Sequence, residues 1–211
     1  MIEVQDLTFA YEGGALLFER LSFAVNGGEM LLLRGASGRG KTSLLYCLCG
    51  IIPRNMHGRL SGQVKIGGKP VAGLSPAELA RAVAMVFQEP GSRVFLPAVE
   101  DELAFTPENM CVGREDMRGR IERALELTGL ADKRHENPAK LSGGQVKLMA
   151  LAGVLAFAPR VVLLDELTSG LDSCAVARVL DCVGWLRTQG CAVVASEHNA
   201  GIWGDADELR I

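Results

Sequence analysis

Apolar and polar residues alternate through IEVQDLTFAY (residues 2–11) and again through LFERLSFAV (17–25). That is the period of strands with one buried face, so two strands of an antiparallel β layer are predicted at the N-terminus. EMLLLRG (29–35) is instead a continuous apolar strand ending in glycine, and KTSLLYCLCG (41–50) a short helix closed by Gly50. GQVKIGGKP reads as a strand and turn, SPAELARA as a helix capped by Ser75, and VAMVFQ as a buried strand. From Glu89 to Lys140 the character is charged and helical, with EDMRGRIERALELTGL carrying apolar residues at three- and four-residue spacing. Beyond it the pattern predicts a helix from about Gly144 to Ala158, the strand RVVLLDE, a helix over Cys174 to Arg187 and the strand CAVVASEH. Strands this apolar, separated by helices, imply an α/β fold with a mostly parallel sheet covered on both faces. The expected division is a core of residues 1–88 and 141–211, including the β layer, with an inserted helical subdomain over 89–140.

Composition narrows the class. A hydrophobic fraction of 48% with 8 prolines suits a folded chain, and 211 residues suffice for one large core with a smaller lobe. Lys+Arg number 22 against 25 Asp+Glu, a net charge of −3, so there is no electrostatic footprint for duplex nucleic acid. Cys47, Cys49, Cys111, Cys174, Cys182 and Cys191 form no CxxC pair and have no histidine at metal-ligand spacing. They read as reduced thiols of a cytosolic protein. No charged stretch followed by an apolar one opens the sequence, so no signal peptide is expected. The longest apolar run, Leu148 to Ala158, falls short of the roughly 20 residues a spanning helix needs. Any connection to a membrane is expected to run through a partner.

GASGRGKT (35–42) is a phosphate-loop pattern between an apolar strand and a helix, the context such a match requires. Gly35, Ser37, Gly38 and Gly40 let backbone N–H groups converge on phosphate, Lys41 bridges phosphate oxygens, and the Thr42 hydroxyl, followed by Ser43, suits Mg²⁺. VVLLDE supplies the second carboxylate that a metal there needs. Asp165 is the metal-holding candidate and Glu166 the general base that polarises water. LSGGQ (141–145) opens a helix, and Ser142, Gly143 and Gly144 are expected to present free N–H groups to an anion.

In that order, GASGRGKT, LSGGQ and LLDE resemble the nucleotide-binding domain of ATP-binding cassette (ABC) proteins over nearly the whole chain. The resemblance implies a P-loop NTPase core and an ATPase that uses ATP and Mg²⁺. It implies two cassettes paired head to tail, with Ser142, Gly143, Gly144 and Gln145 of one capping the γ-phosphate held by the other. It also implies that Gln88 senses the metal and the attacking water, and that SGLD (169–172), ending in Asp172, crosses the dimer interface. His198 matches the switch histidine that contacts the γ-phosphate, and Tyr11 the aromatic that stacks on adenine.

VFQEPGSRVFLPAVEDELAFTPENM (86–110) is similar to the ATPases of energy-coupling factor transporters, which import vitamins and transition-metal ions. In that family a second glutamine stands where this chain has Arg93, and usually Asp where it has Gly91, both in a helix expected to face the membrane scaffold. Leu167 replaces the proline usual after the acidic pair, and Leu148 a basic residue after the signature. The expected partners are a second ATPase subunit (a copy or a paralogue), an integral-membrane scaffold and a membrane substrate-binding subunit, at the cytoplasmic face of the membrane. The sequence ends soon after His198, so the dimer is expected to depend more on nucleotide. The alternatives are another class of ABC transporter ATPase, or a soluble cassette acting on nucleic acid or ribosomes, which the acidic balance disfavours. A GTPase switch is excluded by the lack of an Asn-Lys-x-Asp motif.

Overall fold

Strand β1 (Ile2–Tyr11) pairs antiparallel with β2 (Leu16–Val25) and with β4 (Gly58–Ile66), and the short β5 (Lys69–Pro70) completes a four-stranded sheet in the order β2-β1-β4-β5. The apolar positions of β1 slip by one, from Ile2 and Val4 to Leu7 and Phe9, all of them buried. A slip of one residue would turn half of the strand outward. A register shift between Val4 and Leu7, with Asp6 at φ 47°, absorbs it and keeps both halves on the core face.

The second sheet has five strands in the order β6-β7-β8-β3-β9: β3 (Met30–Arg34), β6 (Val83–Val86), β7 (Val161–Asp165), β8 (Ala192–Ser196) and β9 (Asp207–Arg210). The pairs β7–β8, β8–β3 and β3–β9 are parallel. Every residue of β7 and β8 is buried, which is why both read as unbroken apolar runs rather than as alternation. Strand β9 is charged and mostly exposed at the sheet edge, and Glu208 meets Arg34 of β3 there at 3.0 Å through both carboxylate oxygens. Helix α1 (Lys41–Leu48) buries Leu44, Leu45 and Leu48 in a core shared with Phe9, Leu33, Leu163 and Val194. The small helices α2 (Ile51–Arg54) and α3 (Pro76–Ala82) complete this part; Ser75 and Glu78 close the capping box at the start of α3.

The structure, a computed structural model, describes residues 1–197, 200–204 and 206–211. They fall into two compact units: Met1–Met85, Pro159–Glu166 and Gly190–Ile211 form the first, and Val86–Ala158 with Leu167–Gln189 the second. The second unit is helical, built from α4 (Val99–Asn109), α5 (Arg114–Thr128), α6 (Gly143–Phe157) and α7 (Ser173–Thr188). The expected insert over 89–140 lies inside it together with α6 and α7. Helix α5 buries Ile121, Ala124, Leu125 and Thr128, one face at helical spacing, whereas α6 packs against α4, α5 and α7 and is apolar nearly all round. Leu148 and Leu167, two of the four departures from the family pattern, are both buried. Glu100 ties the start of α4 to the loop that follows α5: its carboxylate receives two bonds of 2.7 Å from Arg134, and its N–H donates to the Arg134 carbonyl.

One expectation needs correcting. Gly91 and Arg93 lie in a 3₁₀ turn, Pro90–Arg93, and not in an α-helix; helix begins only at Val99. Proline at the first position starts the turn, and Val94 closes it with an N–H bond to the Gly91 carbonyl. Among the described residues all six cysteines are free, and burial pushes the thiols of Cys47 and Cys182 up to about 12. No helix among the described residues is long and apolar enough to cross a membrane.

Candidate functional site: a phosphate loop and a signature helix

In the first unit the chain leaves β3 at Arg34, turns through Gly35 to Gly40 and enters α1 at Lys41. Gly35 and Gly40 are needed here. A Cβ on Gly35 would sit 2.7 Å from the Ile211 carbonyl, and Gly40 has φ 97° with a Cβ position 3.1 Å from Leu17. Lys41 is only 4% exposed, and its ammonium donates to the carbonyls of Gly35 at 2.8 Å and Ala36 at 3.3 Å. No carboxylate pairs with it among the described residues. A buried positive charge surrounded by peptide oxygens, beside a helix with no acidic residue in its first turn, suits an anion.

Asp165 ends β7 at 2% exposure, and its oxygens accept from the Thr42 hydroxyl at 2.9 and 3.1 Å and from the Ser196 hydroxyl at 2.6 Å. No cationic side chain pairs with it among the described residues. A buried carboxylate held by hydroxyls, one of which could itself be a ligand, is the hard oxygen set that Mg²⁺ favours. The residues present therefore fit the ion. Glu166 follows in the left-handed region at φ 47°, its N–H bonded to the Ser196 carbonyl at 3.0 Å. Tyr11 is half-buried at the end of β1, its ring edge-on to Phe9 with centroids 4.8 Å apart and its hydroxyl 3.0 Å from the Ser43 hydroxyl. The unit thus brings Tyr11, Ser43, the loop, Thr42, Asp165 and Glu166 together. His198 lies outside the described residues.

In the second unit Ser142 caps α6, accepting from the Gln145 N–H at 3.2 Å, while the Gln145 side chain accepts from the Ser142 N–H at 2.9 Å. The Ser142 N–H is therefore not free, contrary to expectation, because the glutamine of the motif turns back on it. Gly143 and Gly144 carry the open end of the helix. Ser142 and Gly143 are exposed, and no acidic residue occupies the first turn of α6, whereas α4 and α5 have Glu100, Asp101 and Glu102, and Glu115 and Asp116, in theirs. The positive end of the α6 dipole is left uncompensated. The same unit holds the SGLD loop. Lys147 of α6 donates to the Ser169 carbonyl at 2.6 Å, and Asp172 caps α7 by accepting from the Ala175 N–H at 2.8 Å. Gln88 is exposed, just past β6.

Sequence reasoning missed Ser196 and Lys147. Ser196 stands opposite Asp165 in the β7–β8 register. Aligning the C-terminal ends of VVLLD and AVVAS would have found it. For Lys147, the spacing of two positions after Gln145 gave no signal.

Residues 18–169 match the ABC transporter family. The energy-coupling factor transporter ATP-binding protein EcfA of Methanocaldococcus jannaschii is 34% identical over 96% of this chain and 71% of its own length. A Methanosarcina mazei protein, named for an inferred role as an ABC transporter ATP-binding protein, is 36% identical over 94% of this chain. The chain spans 34% of that relative's length and 31% of a Methanosarcina acetivorans counterpart. Among solved structures, CbiO1 of Clostridium perfringens, part of the ABC transporter complex cbiONQ, superposes with a TM-score of 0.80 at 28% identity, covering 94% of this chain and 78% of its own. The chain belongs to the ABC transporter family and is similar to that family's ATP-binding proteins.

Proposed function

We propose that this chain hydrolyses ATP to energise a membrane transporter of the energy-coupling factor type, importing a vitamin or a transition-metal ion. The observation that carries the hydrolytic reading is the closure of Thr42 on Asp165 at 2.9 Å beside the buried, carboxylate-free Lys41. The resemblance to EcfA and to a member of a cbiONQ complex supports the transporter class.

In this reading Gly35, Ser37, Gly38 and Gly40 turn backbone N–H groups toward phosphate, Lys41 offsets its charge, and Ser43 follows on α1. Tyr11 stacks on the adenine, its ring held edge-on by Phe9. Thr42 and Asp165 hold Mg²⁺, with Gln88 a further ligand; the ion, when bound, offsets charge on the phosphate oxygens. Glu166 accepts a proton from the attacking water, and His198 orients Glu166. Ser142, Gly143, Gly144 and Gln145 of a second ATPase subunit complete the site head to tail, with Asp172 at the seam. An integral-membrane scaffold binds the helical unit at the cytoplasmic face, alongside a membrane substrate-binding subunit. Nucleic acid has no part in it.

The test of the transporter reading starts at the 3₁₀ turn. Arg93→Glu lowers co-purification of the membrane scaffold from detergent extracts, and lowers transport, while ATP affinity stays at the wild-type value. Unchanged co-purification together with unchanged transport would place the coupling surface elsewhere. Lys41→Ala serves as the control for hydrolysis and abolishes Mg²⁺-dependent phosphate release.

A further inference from the structure

Ser196 has no part in the roles above, yet it touches both residues of the acidic pair Asp165 and Glu166. It is fully buried at the end of β8, paired in register with Asp165. Its hydroxyl donates to Asp165 Oδ1 at 2.6 Å and accepts from the Glu166 N–H at 3.3 Å, while its carbonyl accepts from the same N–H at 3.0 Å. We propose that Ser196 is a positioning residue for ATP hydrolysis, fixing the carboxylate of Asp165 for the divalent cation and the backbone of Glu166 for the attacking water. This rests on the roles given above to Asp165 and Glu166.

Two physical needs point the same way. Among the described residues, buried Asp165 has hydroxyl partners only, Thr42 and Ser196. Thr42 is itself a ligand candidate, so Ser196 is the donor that serves the carboxylate alone. Its bond of 2.6 Å anchors Oδ1, while Thr42 straddles the two oxygens, at 3.1 Å from Oδ1 and 2.9 Å from Oδ2. Hydrogen-bond partners of this kind behind a metal-binding carboxylate change metal affinity or activity by about 10–100-fold. Glu166, meanwhile, sits at φ 47°, a conformation that a residue with a Cβ keeps only where its surroundings hold it. The bond from its N–H to Ser196 supplies that hold. One buried residue therefore links the two adjacent carboxylates, one by its side chain and the other through the backbone.

The test uses the full chain as wild type, Ser196→Ala, Ser196→Thr and Glu166→Gln. ATP affinity is measured by calorimetry with Mg²⁺ and with EDTA, and turnover is titrated against Mn²⁺. Ser196→Ala is expected to keep the EDTA affinity and the cooperative unfolding of the wild type, but to need about tenfold to a hundredfold more Mn²⁺ for half-maximal turnover. Ser196→Thr, which restores the donor, should recover most of that shift. Wild-type Mn²⁺ dependence in Ser196→Ala would overturn the proposal. So would an equal loss of ATP affinity with EDTA and with Mg²⁺, the mark of a residue that only supports the fold. Glu166→Gln separates the two levels: if it turns over like the wild type, the reading of Glu166 fails whatever Ser196 does.

Discussion

The two units hold the groups proposed to face phosphate in opposite ways. In the first, the charged groups point inward: Lys41 and Asp165 are 4% and 2% exposed, each closed on neutral oxygens of its own unit. In the second, the signature stands outward. Ser142 and Gly143 are exposed, and the capping box secures the helix end without covering it. Burial in the first unit keeps water away from the charges, so a bound anion and cation would interact more strongly there than in solvent. Exposure in the second leaves a helix dipole open, which is weak alone and useful only when an anion is brought to it. In the proposed composite site, the half drawn from the first unit is thus preorganised by its core, while the half drawn from the second depends on what docks against it.

The sharpest way to break this contrast is chemical. Glu166→Gln should lower ATP turnover by about 10²–10⁴-fold while ATP binding persists, because Asp165, Thr42 and Lys41 are untouched; turnover and calorimetric binding measured on one preparation check it. Next in size is the platform. Leu163→Ala, at a fully buried position in β7, should cost about 2–5 kcal/mol in urea unfolding, since the space left in the sheet core cannot collapse fully. An effect within experimental error would mean that the core does not hold the inward half-site as described. A smaller loss, about 1 kcal/mol, is expected for Ser142→Ala, which removes the cap of α6. Because the cap holds the helix end rather than a buried charge, that variant should keep the ATP affinity of the isolated chain.

The smallest effect concerns Glu100 and Arg134. Hydrogen bonds from the Arg134 guanidinium hold the Glu100 carboxyl below the usual carboxylate range. A carboxylate with a depressed pKa stabilises the fold fully above its unfolded value of about 4.3, and that stability is lost as pH falls through the lower folded value. The stability gap between wild type and Arg134→Ala should therefore be constant near neutrality, at about 1 kcal/mol or less, and close below about pH 4. A gap that widened with acid would have the wrong sign.

Features of the fold that depend on neighbours in sequence were readable. GASGRGKT and LSGGQ each sit at one helix start, and the turn and the helix are encoded within a few positions. The apolar runs of β7 and β8 likewise declared a buried parallel sheet. Features that depend on pairing were not readable. Strand β9 is four residues with two acids and an arginine, which carry no apolar signal, and it forms because β3 offers an unpaired edge. Ser196 gains its contacts only when β7 and β8 come into register. The reach of Gln145 back to the Ser142 N–H matches the spacing of a capping box, a local pattern that overlaps the glycines of the same motif.

The claim that the outward half needs a partner copy is tested most directly by the mass of the Glu166→Gln chain in light scattering, with Mg²⁺–ATP and with ADP. The mass should double with ATP and not with ADP, and adding Ser142→Arg, which places a bulky cation at the exposed end of α6, should abolish the doubling while leaving ATP affinity nearly unchanged. A double variant that still dimerises with ATP would contradict the composite site.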